Sequence, residues 1–303
     1  LYAALGETMW GHRRRPGWRG AGVRAERITE SVAYHGEGPV WSQRWGGLRW
    51  VDMLAGDVLS LGADGTVGRR HVGRVAAAVR PRSSGGAVIG VERGFALEDA
   101  AGTVTALDSV WLDASVRMNE GGCDPQGRFY CGSMAYDQQP GAGSLYRLDP
   151  DGTVTVVLEA VSISNGLEWS PEGSLAYYAD TATHRVDVFD YDPGGGLTER
   201  RSFLRFADDG NPDGLTVDAD GGVWVALNGA GAVHRYTAEG RLDAVVEVPT
   251  IQVTACTLGG PRLDQLFITT SRENMAPEED SVAGSLFRVD AGVQGLPVRE
   301  FAG

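Results

Sequence analysis

Short runs of β-branched and aromatic residues alternate along the chain with glycine-containing turn tetrapeptides. In such turns Pro presets φ, and Gly supplies a positive φ. Hardly any window keeps a helical apolar period over three turns, so the pattern predicts an all-β fold. The turn tetrapeptides are residues 62–65, 124–127, 149–152, 170–173, 218–221 and 237–240.

A longer rhythm underlies these turns, because strands of similar type begin at intervals of 39 to 49 residues. A period in the forties with about four strands per period is typical of a β-propeller, whose radial repetition leaves only short strand edges exposed. Two stacked sandwiches would also contain many short strands, but they give no reason for an even spacing. The sequence therefore predicts a six-bladed β-propeller. Its repeats begin near Gly47, Gly86, Gly127, Gly173, Gly222 and Leu263.

The start of the chain differs from the rest. Residues 1–25 are rich in Arg, and no apolar stretch of the kind that a secretory signal requires follows them. We expect these residues to be a disordered tail or the remnant of a leader, and residues 26–303 to form one propeller domain. The segment from about Ala25 to Tyr34 precedes the first repeat and is expected to pair with the last blade, which would close the ring.

A second repeat lies inside the first. Four times, a polar residue is followed within one or two positions by Gly and then by a short apolar strand. An aromatic residue of the next strand follows each polar residue by 11 to 13 positions, which indicates equivalent places in different blades. Because the first strand of each blade lines the central channel, we expect the four side chains to converge at the channel mouth. The polar residues are Glu37, Asn119, Asn165 and Asp213.

Two carboxylates and two amides in a partly desolvated channel need a partner, since like charges repel and raise each other's pKa values. A bound cation removes this conflict. Oxygen ligands without thiolate or imidazole favour a hard ion, Ca²⁺ first, with Mg²⁺, Mn²⁺ or Zn²⁺ as alternatives. The pattern thus predicts a metal site in the central channel. The simpler alternative is that Asn and Asp before Gly only form turns.

Composition narrows the chemistry further. All 27 basic residues are Arg, which excludes a catalytic Lys, Schiff-base chemistry and the Lys-dependent phosphate-binding loop. With 40 acidic residues the net charge is −13, and a pI of about 4.8 argues against nucleic acid or an anionic membrane as the main partner. A cation or a neutral metabolite fits better.

Other motifs are missing from the sequence. No run approaches the roughly 18 apolar residues of a membrane span. Neither G-x-S-x-G nor H-E-x-x-H occurs, which argues against a serine hydrolase of that fold and against the commonest zinc proteases. Three separate Cys without a C-x-x-C pair favour buried thiols in a reducing compartment, so we expect a cytoplasmic protein. They are Cys123, Cys131 and Cys256.

Longer motifs stand in a fixed order along the chain, and together they are specific. The first is Gly36-Glu37-Gly38-Pro39-Val40-Trp41, and the others are residues 117–120, 124–130, 132–134, 163–169 and 212–218. On these motifs the chain, from about residue 30 to its end, resembles the senescence-marker-protein, regucalcin and gluconolactonase family. Members of that family are six-bladed propellers that hydrolyse sugar lactones with one divalent cation. The resemblance implies this fold and a small-molecule sugar lactone as substrate.

The resemblance also implies roles for single residues. Glu37, Asn165 and Asp213 are expected to bind the cation directly. Arg117 and Asn119 are expected to contact the substrate, with Asn119 also near the metal.

Two positions on the expected substrate side depart from the family pattern. Glu120 stands where relatives often have Asp, and Asp137 stands where some animal members have Glu. Both changes keep a carboxylate but alter its reach by one methylene. The substrate preference of relatives therefore does not carry over with the mechanism.

The implied mechanism is hydrolysis without a covalent intermediate. A cation with open positions would polarise the lactone carbonyl and lower the pKa of a bound water. Asp213 is expected to accept the proton of the attacking water, and Arg117 to hold the developing oxyanion or the ring hydroxyls. The expected activity is that of a gluconolactonase-type lactonase, acting on a five- or six-membered sugar lactone.

Two further interpretations stay open from the sequence. The same site would serve organophosphate hydrolysis or a ring-forming or ring-opening biosynthetic step. Alternatively, the chain is a non-catalytic propeller that binds Ca²⁺ or a partner. His35, His184 and the acidic loop 271–280 are each either part of the channel mouth or ordinary surface.

Overall fold

The predicted repeats fold as the blades of a propeller in the computed structural model, which describes residues 22–207, 210–276 and 278–303. Within these residues, 25 strands, numbered β1 to β25 in chain order, form six sheets. The first strands of consecutive blades contact each other around a ring, and the first strand of blade six contacts that of blade one. The prediction of a six-bladed all-β propeller is therefore confirmed.

The four main strands of each blade are antiparallel to their neighbours and follow one another outward from the axis. The first strands, in blade order, are β3 Gly36–Ser42, β7 Ala76–Pro81, β11 Val116–Cys123, β15 Ser164–Trp169, β19 Asn211–Val217 and β23 Val253–Gly259. The second strands are β4 Gly47–Asp52, β8 Ala87–Val91, β12 Phe129–Ala135, β16 Leu175–Asp180, β20 Val223–Asn228 and β24 Gln265–Thr270. The third strands are β5 Asp57–Leu61, β9 Gly94–Glu98, β13 Gly143–Leu148, β17 Arg185–Asp192, β21 Ala232–Tyr236 and β25 Phe287–Asp290.

Blade five carries a fifth strand, β1 Val23–Arg24, outside its fourth strand. The fourth strands of the blades include one from the N-terminal segment. They are β6 Val67–His71, β10 Val104–Ala106, β14 Val154–Val161, β18 Gly196–Arg205, β22 Leu242–Glu247 and, in blade six, β2 Glu26–Arg27. Three short 3-10 helices occur among the described residues, at Gln43–Trp45, Met53–Ala55 and Thr181–Thr183. No helix of the described residues is long and apolar enough to cross a membrane.

The second strands coincide with the predicted repeat starts, and their aromatic residues fill the space between blades. Those predicted to be equivalent are all buried, with at most 1% of each side chain exposed. Neighbouring blades meet through ring contacts, such as Tyr130 against Trp169 at 5.4 Å and Trp41 against Phe267 at 5.7 Å. The equivalent aromatics are Trp50, Tyr130, Tyr178 and Trp224. The three predicted thiols, Cys123, Cys131 and Cys256, are buried and free.

The N-terminal segment closes the ring as predicted. Glu26 pairs with Arg288 in an antiparallel ladder, so β2 becomes the outermost strand of blade six. The expected boundary at residue 25 falls inside ordered structure, because β1 Val23–Arg24 pairs in parallel with β22 of blade five. Ala25, which separates β1 from β2 along the chain, is buried. The rest of the expected tail, residues 1–21, lies outside the described residues.

The C-terminal residues make a connection that the repeat pattern did not predict. Residues 294–303 run across the far ends of the first strands and form hydrogen bonds with all six blades, including one from Gly295 N to Leu263 O in blade six. This segment lies at the end of the ring opposite the starts of the first strands. Its hydrogen bonds join Gln294 to Ala219, Arg299 to Glu168 and Ser170, Glu300 to Arg44, Phe301 to Pro81 and Ser83, and Ala302 to Gly127.

Candidate metal centre and substrate cavity

Each first strand carries an irregularity at the same level. In β15, Ser164 pairs with Asp180 but Leu167 pairs with Tyr178, so Asn165 lies in a bulge. Such bulges bend a strand and re-aim a side chain, and they are common beside active sites. The bulges in the other strands lie at or beside Glu37, Ala77, Asn119, Asp213 and Thr254. Four of the six blades therefore present a polar motif residue at this level.

The Gly that follows the polar residue allows the first strands to approach each other. A Cβ on Gly166 would lie 2.5 Å from Leu215 N, and one on Gly214 would lie 2.4 Å from the Ala255 Cβ. In blade three, a Cβ on Gly122 would lie 2.7 Å from Leu167 O. Each of these contacts is to the next blade. In blades three to five the polar-Gly motif thus combines a side chain in the channel with backbone packing that only Gly permits. In blade one a Cβ on Gly38 would meet nothing within 4 Å, and it is the positive φ of 48° that favours Gly there.

The four motif residues line one cavity of about 490 Å³ at the starts of the first strands. The predicted convergence is therefore present. Arg117, expected to contact the substrate, also lines this cavity. The remaining lining residues come from strands and loops around the mouth and include Gln138, Thr181, His184, Asn228, Gln252, Glu273 and Asn274.

Two residues expected on the substrate side lie elsewhere. Asp137 is exposed, and its carboxylate accepts a hydrogen bond from Gln139 N at 3.1 Å. It is the next residue, Gln138, that lines the cavity. Glu120 is buried in β11, and it does not line the cavity. The one-residue offset reflects the turn geometry after β12, which strand spacing does not determine.

Asn119 holds two cavity residues in place. Its Oδ1 accepts a hydrogen bond from Arg117 at 2.6 Å, and its Nδ2 donates to Asn165 Oδ1 at 3.2 Å. Nδ2 also donates to Ser164 O at 2.7 Å. Both ends of the amide are thus engaged within the protein, which suits a positioning role for Asn119.

The other cavity side chains are fixed in the same way. Asn165 Nδ2 donates to Thr181 Oγ1 at 2.8 Å, and Thr181 Oγ1 donates to Pro212 O at 2.7 Å. Arg117 is buried, and its guanidinium lies 5.7 Å from the centre of the Tyr136 ring. Burial lowers the pKa of Arg117, while the charges of Glu273, Tyr136 and Glu37 act to raise it.

The carboxylates of the cavity are in electrostatic conflict. Burial raises the pKa of Glu37 well above its usual value, and the charges of Asp213 and Glu120 add to the shift. Burial also raises the pKa of Asp213, with a further contribution from Glu120. Among the described residues, Asp213 Oδ1 is a buried oxygen without a hydrogen-bond partner. A positive charge placed beside these groups would stabilise both ionised forms.

These residues fit a hard divalent cation. Glu37, Asn165 and Asp213 offer two carboxylates and an amide, the oxygen donors that Ca²⁺ and Mg²⁺ prefer. The buried, unpartnered Asp213 Oδ1 is the atom that such an ion would satisfy. Within the described ranges no group of three His, Cys, Asp or Glu side chains is arranged to hold a metal. The predicted set differs from such groups because an amide supplies its third ligand.

His35 and Glu273 add two ionisable groups to the wall of the cavity. His35 Nδ1 lies 2.7 Å from Ser271 Oγ, and Nε2 lies 4.0 Å from Glu37 Oε1. Burial and the charge of Arg117 lower the pKa of His35 to about 3. His184, which caps the helix Thr181–Thr183, also reaches the cavity. These loop residues lie outside the strand repeat, so spacing alone could not select them.

The fold and the site together define a six-bladed propeller with a polar cavity where its first strands begin. A family model described as SMP-30/Gluconolactonase/LRE-like region matches residues 35–272. The match covers most of the chain, and the protein therefore belongs to this family. The resemblance inferred from the motifs is confirmed.

Similar proteins span nearly the whole chain. Regucalcin of Danio rerio is 33% identical over 293 residues, which cover 93% of this chain and 99% of that protein. A Bacillus subtilis protein provisionally named sugar lactone lactonase YvrE is 33% identical over 286 residues, covering 91% and 97% respectively. The solved structure of a calcium-binding protein, regucalcin, from Agrobacterium tumefaciens matches with a TM-score of 0.86 at 28% identity. It covers 93% of this chain and 99% of that one.

Proposed function

We propose that this protein is a divalent-cation-dependent lactonase that hydrolyses a sugar lactone. Family membership and the name of the B. subtilis relative support the substrate class. The description of the A. tumefaciens relative as calcium-binding supports a divalent cation, with Ca²⁺ as the first candidate. The cavity, about 490 Å³ and lined by polar groups, has the size of a small-molecule site.

The observation that carries this proposal is the state of Asp213. Its carboxylate is buried beside Glu37, its pKa is raised mainly by burial, and Oδ1 has no hydrogen-bond partner among the described residues. A buried polar atom without a partner is costly, and native proteins rarely keep one without a functional reason. Glu37, Asn165 and Asp213 would hold the cation.

The chain's own residues supply the proton transfer. When bound, the cation supplies a Lewis acid for the lactone carbonyl and lowers the pKa of water. Asp213 accepts the proton of the attacking water and returns it to the ring oxygen as the acyl C–O bond breaks. One lactone and one water thus give one hydroxy acid, which ionises near neutral pH.

Arg117 stabilises the charge that develops on the substrate. Its guanidinium is buried, stays charged and offers a planar set of donors to an oxyanion or to ring hydroxyls. Asn119 fixes that guanidinium through the 2.6 Å hydrogen bond to Oδ1. The same amide bonds to Asn165, so one side chain couples the orientation of the substrate side to that of the proposed metal side.

The proposal is tested with metal-stripped protein and a panel of aldonolactones, followed by proton release. Ca²⁺, Zn²⁺, Mn²⁺ and Mg²⁺ are added back one at a time. Hydrolysis restored by one or more ions supports the proposal and identifies the preferred ion. Absence of hydrolysis with every ion, in protein that still binds a cation, would overturn it in favour of a binding protein.

A further inference from the structure

Glu273 places a carboxylate on the wall of the cavity without belonging to the proposed metal ligands. It follows β24 in a loop outside the blade repeat, and its side chain is 33% exposed. The next residue, Asn274, also lines the cavity and is exposed. Glu273 therefore stands where the cavity opens, in reach of a molecule that enters or leaves.

The position of Glu273 is built into the fold. Its backbone N donates to Ser271 Oγ at 2.9 Å, and its carbonyl accepts from Gln252 Nε2 at 3.1 Å. Ser271 N in turn donates to Gln252 O at 3.0 Å. These bonds tie the loop to the chain that leads into β23. The backbone of Glu273 is consequently held at the mouth of the cavity by neighbouring structure.

The carboxylate has no arginine at ion-pair distance among the described residues. Its carboxylate lies 3.5 Å from His35 Nδ1. Because the pKa of His35 is lowered to about 3, this imidazole is neutral near pH 7 and does not neutralise the carboxylate. The negative charge of Glu273 nevertheless acts on Arg117. It raises the pKa of the guanidinium, whereas burial lowers it. The negative charge of Glu273 therefore acts in the same cavity in which Arg117 would contact the substrate.

Among the side chains that line the cavity, the charges with one divalent cation balance only if Glu273 is counted; Glu120, which does not line the cavity, is left out of this count. The described lining residues include three carboxylates, of Glu37, Asp213 and Glu273, and one guanidinium, of Arg117. One divalent cation beside them leaves these groups with no net charge. Without Glu273, the same groups would carry one positive charge.

This balance matters because lactone hydrolysis turns a neutral ester into a carboxylate in the same space. A carboxylate binds strongly to a divalent cation and to a guanidinium, since charge-assisted hydrogen bonds and ion contacts are the strong ones. A site with a net positive charge would therefore retain its product. A carboxylate at the mouth opposes this retention by like-charge repulsion.

We propose that Glu273 is a specificity-determining residue that makes the cavity select uncharged lactones and release the carboxylate product. This inference rests on the proposed lactonase function. It names the substrate class more narrowly, as lactones without an anionic substituent. Glu273 acts through its charge and does not transfer a proton.

The test compares Glu273→Gln with wild type and with Glu278→Gln. The latter removes a carboxylate from an exposed position of the same loop that does not line the cavity. Binding of D-gluconate and of the uncharged D-glucitol to the full-length Ca²⁺-loaded protein is measured by titration calorimetry. We expect Glu273→Gln to bind gluconate about five- to tenfold more tightly, with glucitol unchanged. The gain shrinks as salt is raised, because salt screens partly exposed charges.

A kinetic comparison tests the selection directly. Glu273→Gln is expected to raise kcat/KM for a carboxylate-bearing lactone relative to a neutral aldonolactone by a similar factor, and to strengthen product inhibition. Unchanged gluconate binding in Glu273→Gln, or an equal change in Glu278→Gln or for glucitol, overturns the inference. A gluconate gain in protein that hydrolyses no lactone would instead refute the proposed function and leave the charge effect of Glu273 established.

Discussion

Asn228 holds Asp213 in a single orientation. The Asn228 side-chain amide donates to Asp213 Oδ2 at 3.1 Å, while Asp213 Oδ1 remains buried without a partner in the described part of the chain. One oxygen of the carboxylate is thus occupied by the protein, and the other is left for a ligand. We therefore expect different effects from replacing Asp213 and from replacing Asn228.

Replacing the carboxylate itself should remove function and leave the fold intact. Asp213→Asn is expected to lower kcat/KM more than 100-fold and to abolish the rise in Tm that Ca²⁺ produces. Because the variant removes a buried charge near Glu37, the metal-free protein should be at least as stable as wild type. Calorimetric scans with and without Ca²⁺ measure both effects. Asp220→Asn, in an exposed turn, is the matched control, and retained activity in Asp213→Asn would contradict the proposed role.

Replacing Asn228, which orients Asp213, should have a smaller effect, and it should act on Ca²⁺ affinity. Asn228→Ala is expected to weaken Ca²⁺ affinity about 10- to 100-fold, since groups that orient a ligand typically contribute this much. Excess Ca²⁺ should recover most of the activity, which a loss of a direct catalytic group would not allow. Calcium titrations followed by activity measure this. A loss that no Ca²⁺ concentration restores would show that Asn228 does more than orient Asp213.

The stability of the metal-free protein should fall as pH rises through the weakly acidic range. Burial, with the charge of Glu168 and against that of Arg80, raises the pKa of Glu120 from 4.5 to about 7. The folded state therefore binds this proton more tightly than the unfolded state. The stabilisation is fully present below pH 4.5 and is lost as pH rises through about 7.

Glu120→Gln isolates this effect. The variant should lose a dependence on the order of 3 kcal/mol between about pH 5 and pH 8, although Glu37 and Asp213 add dependence of the same sign. Urea unfolding of metal-free protein at both pH values provides the measurement. The exposed Glu172→Gln serves as control. An unchanged pH dependence in Glu120→Gln would mean that Glu120 is ionised throughout.

The close approach of first strands should make the motif glycines of blades three to five intolerant of a side chain. Gly166→Ala places a Cβ 2.5 Å from Leu215 N in the next blade, and we expect a destabilisation of about 3 kcal/mol. Gly194→Ala, where a Cβ would meet an Asp192 oxygen at 3.4 Å, should be nearly neutral. Chemical unfolding of the two variants compares them. Equal stability would show that adjacent first strands can move apart without cost.

The repeat made most of the fold predictable. The evenly spaced positions from Gly47 to Leu263 mark the second strand of each blade. The interval from Asn165 to Tyr178 spans the turn that leads from the first strand in the channel to a buried residue of the second strand. These intervals are similar in different blades because each blade packs against its neighbours in the same way. Strand counts, ring closure and the convergence of the motif residues follow from this regularity.

Elements outside the repeat were not predictable in the same way. Gln138 rather than Asp137 faces the cavity, because a turn and not a strand sets its direction. Glu273 reaches the mouth through hydrogen bonds to a distant loop, which leave no periodic signal in the sequence. The bulges were equally invisible, since their pairing is known only once both strands are placed.

The C-terminal segment, residues 294–303, should change how this propeller unfolds. In a linear repeat protein each unit contacts only its neighbours, so terminal units fray independently. Here residues 294–303 form hydrogen bonds with all six blades, and β2 ties the N-terminal segment to blade six. No blade is therefore a free end, and the ring should unfold as one cooperative unit. During synthesis, that cooperativity cannot arise until residues 294–303 have left the ribosome.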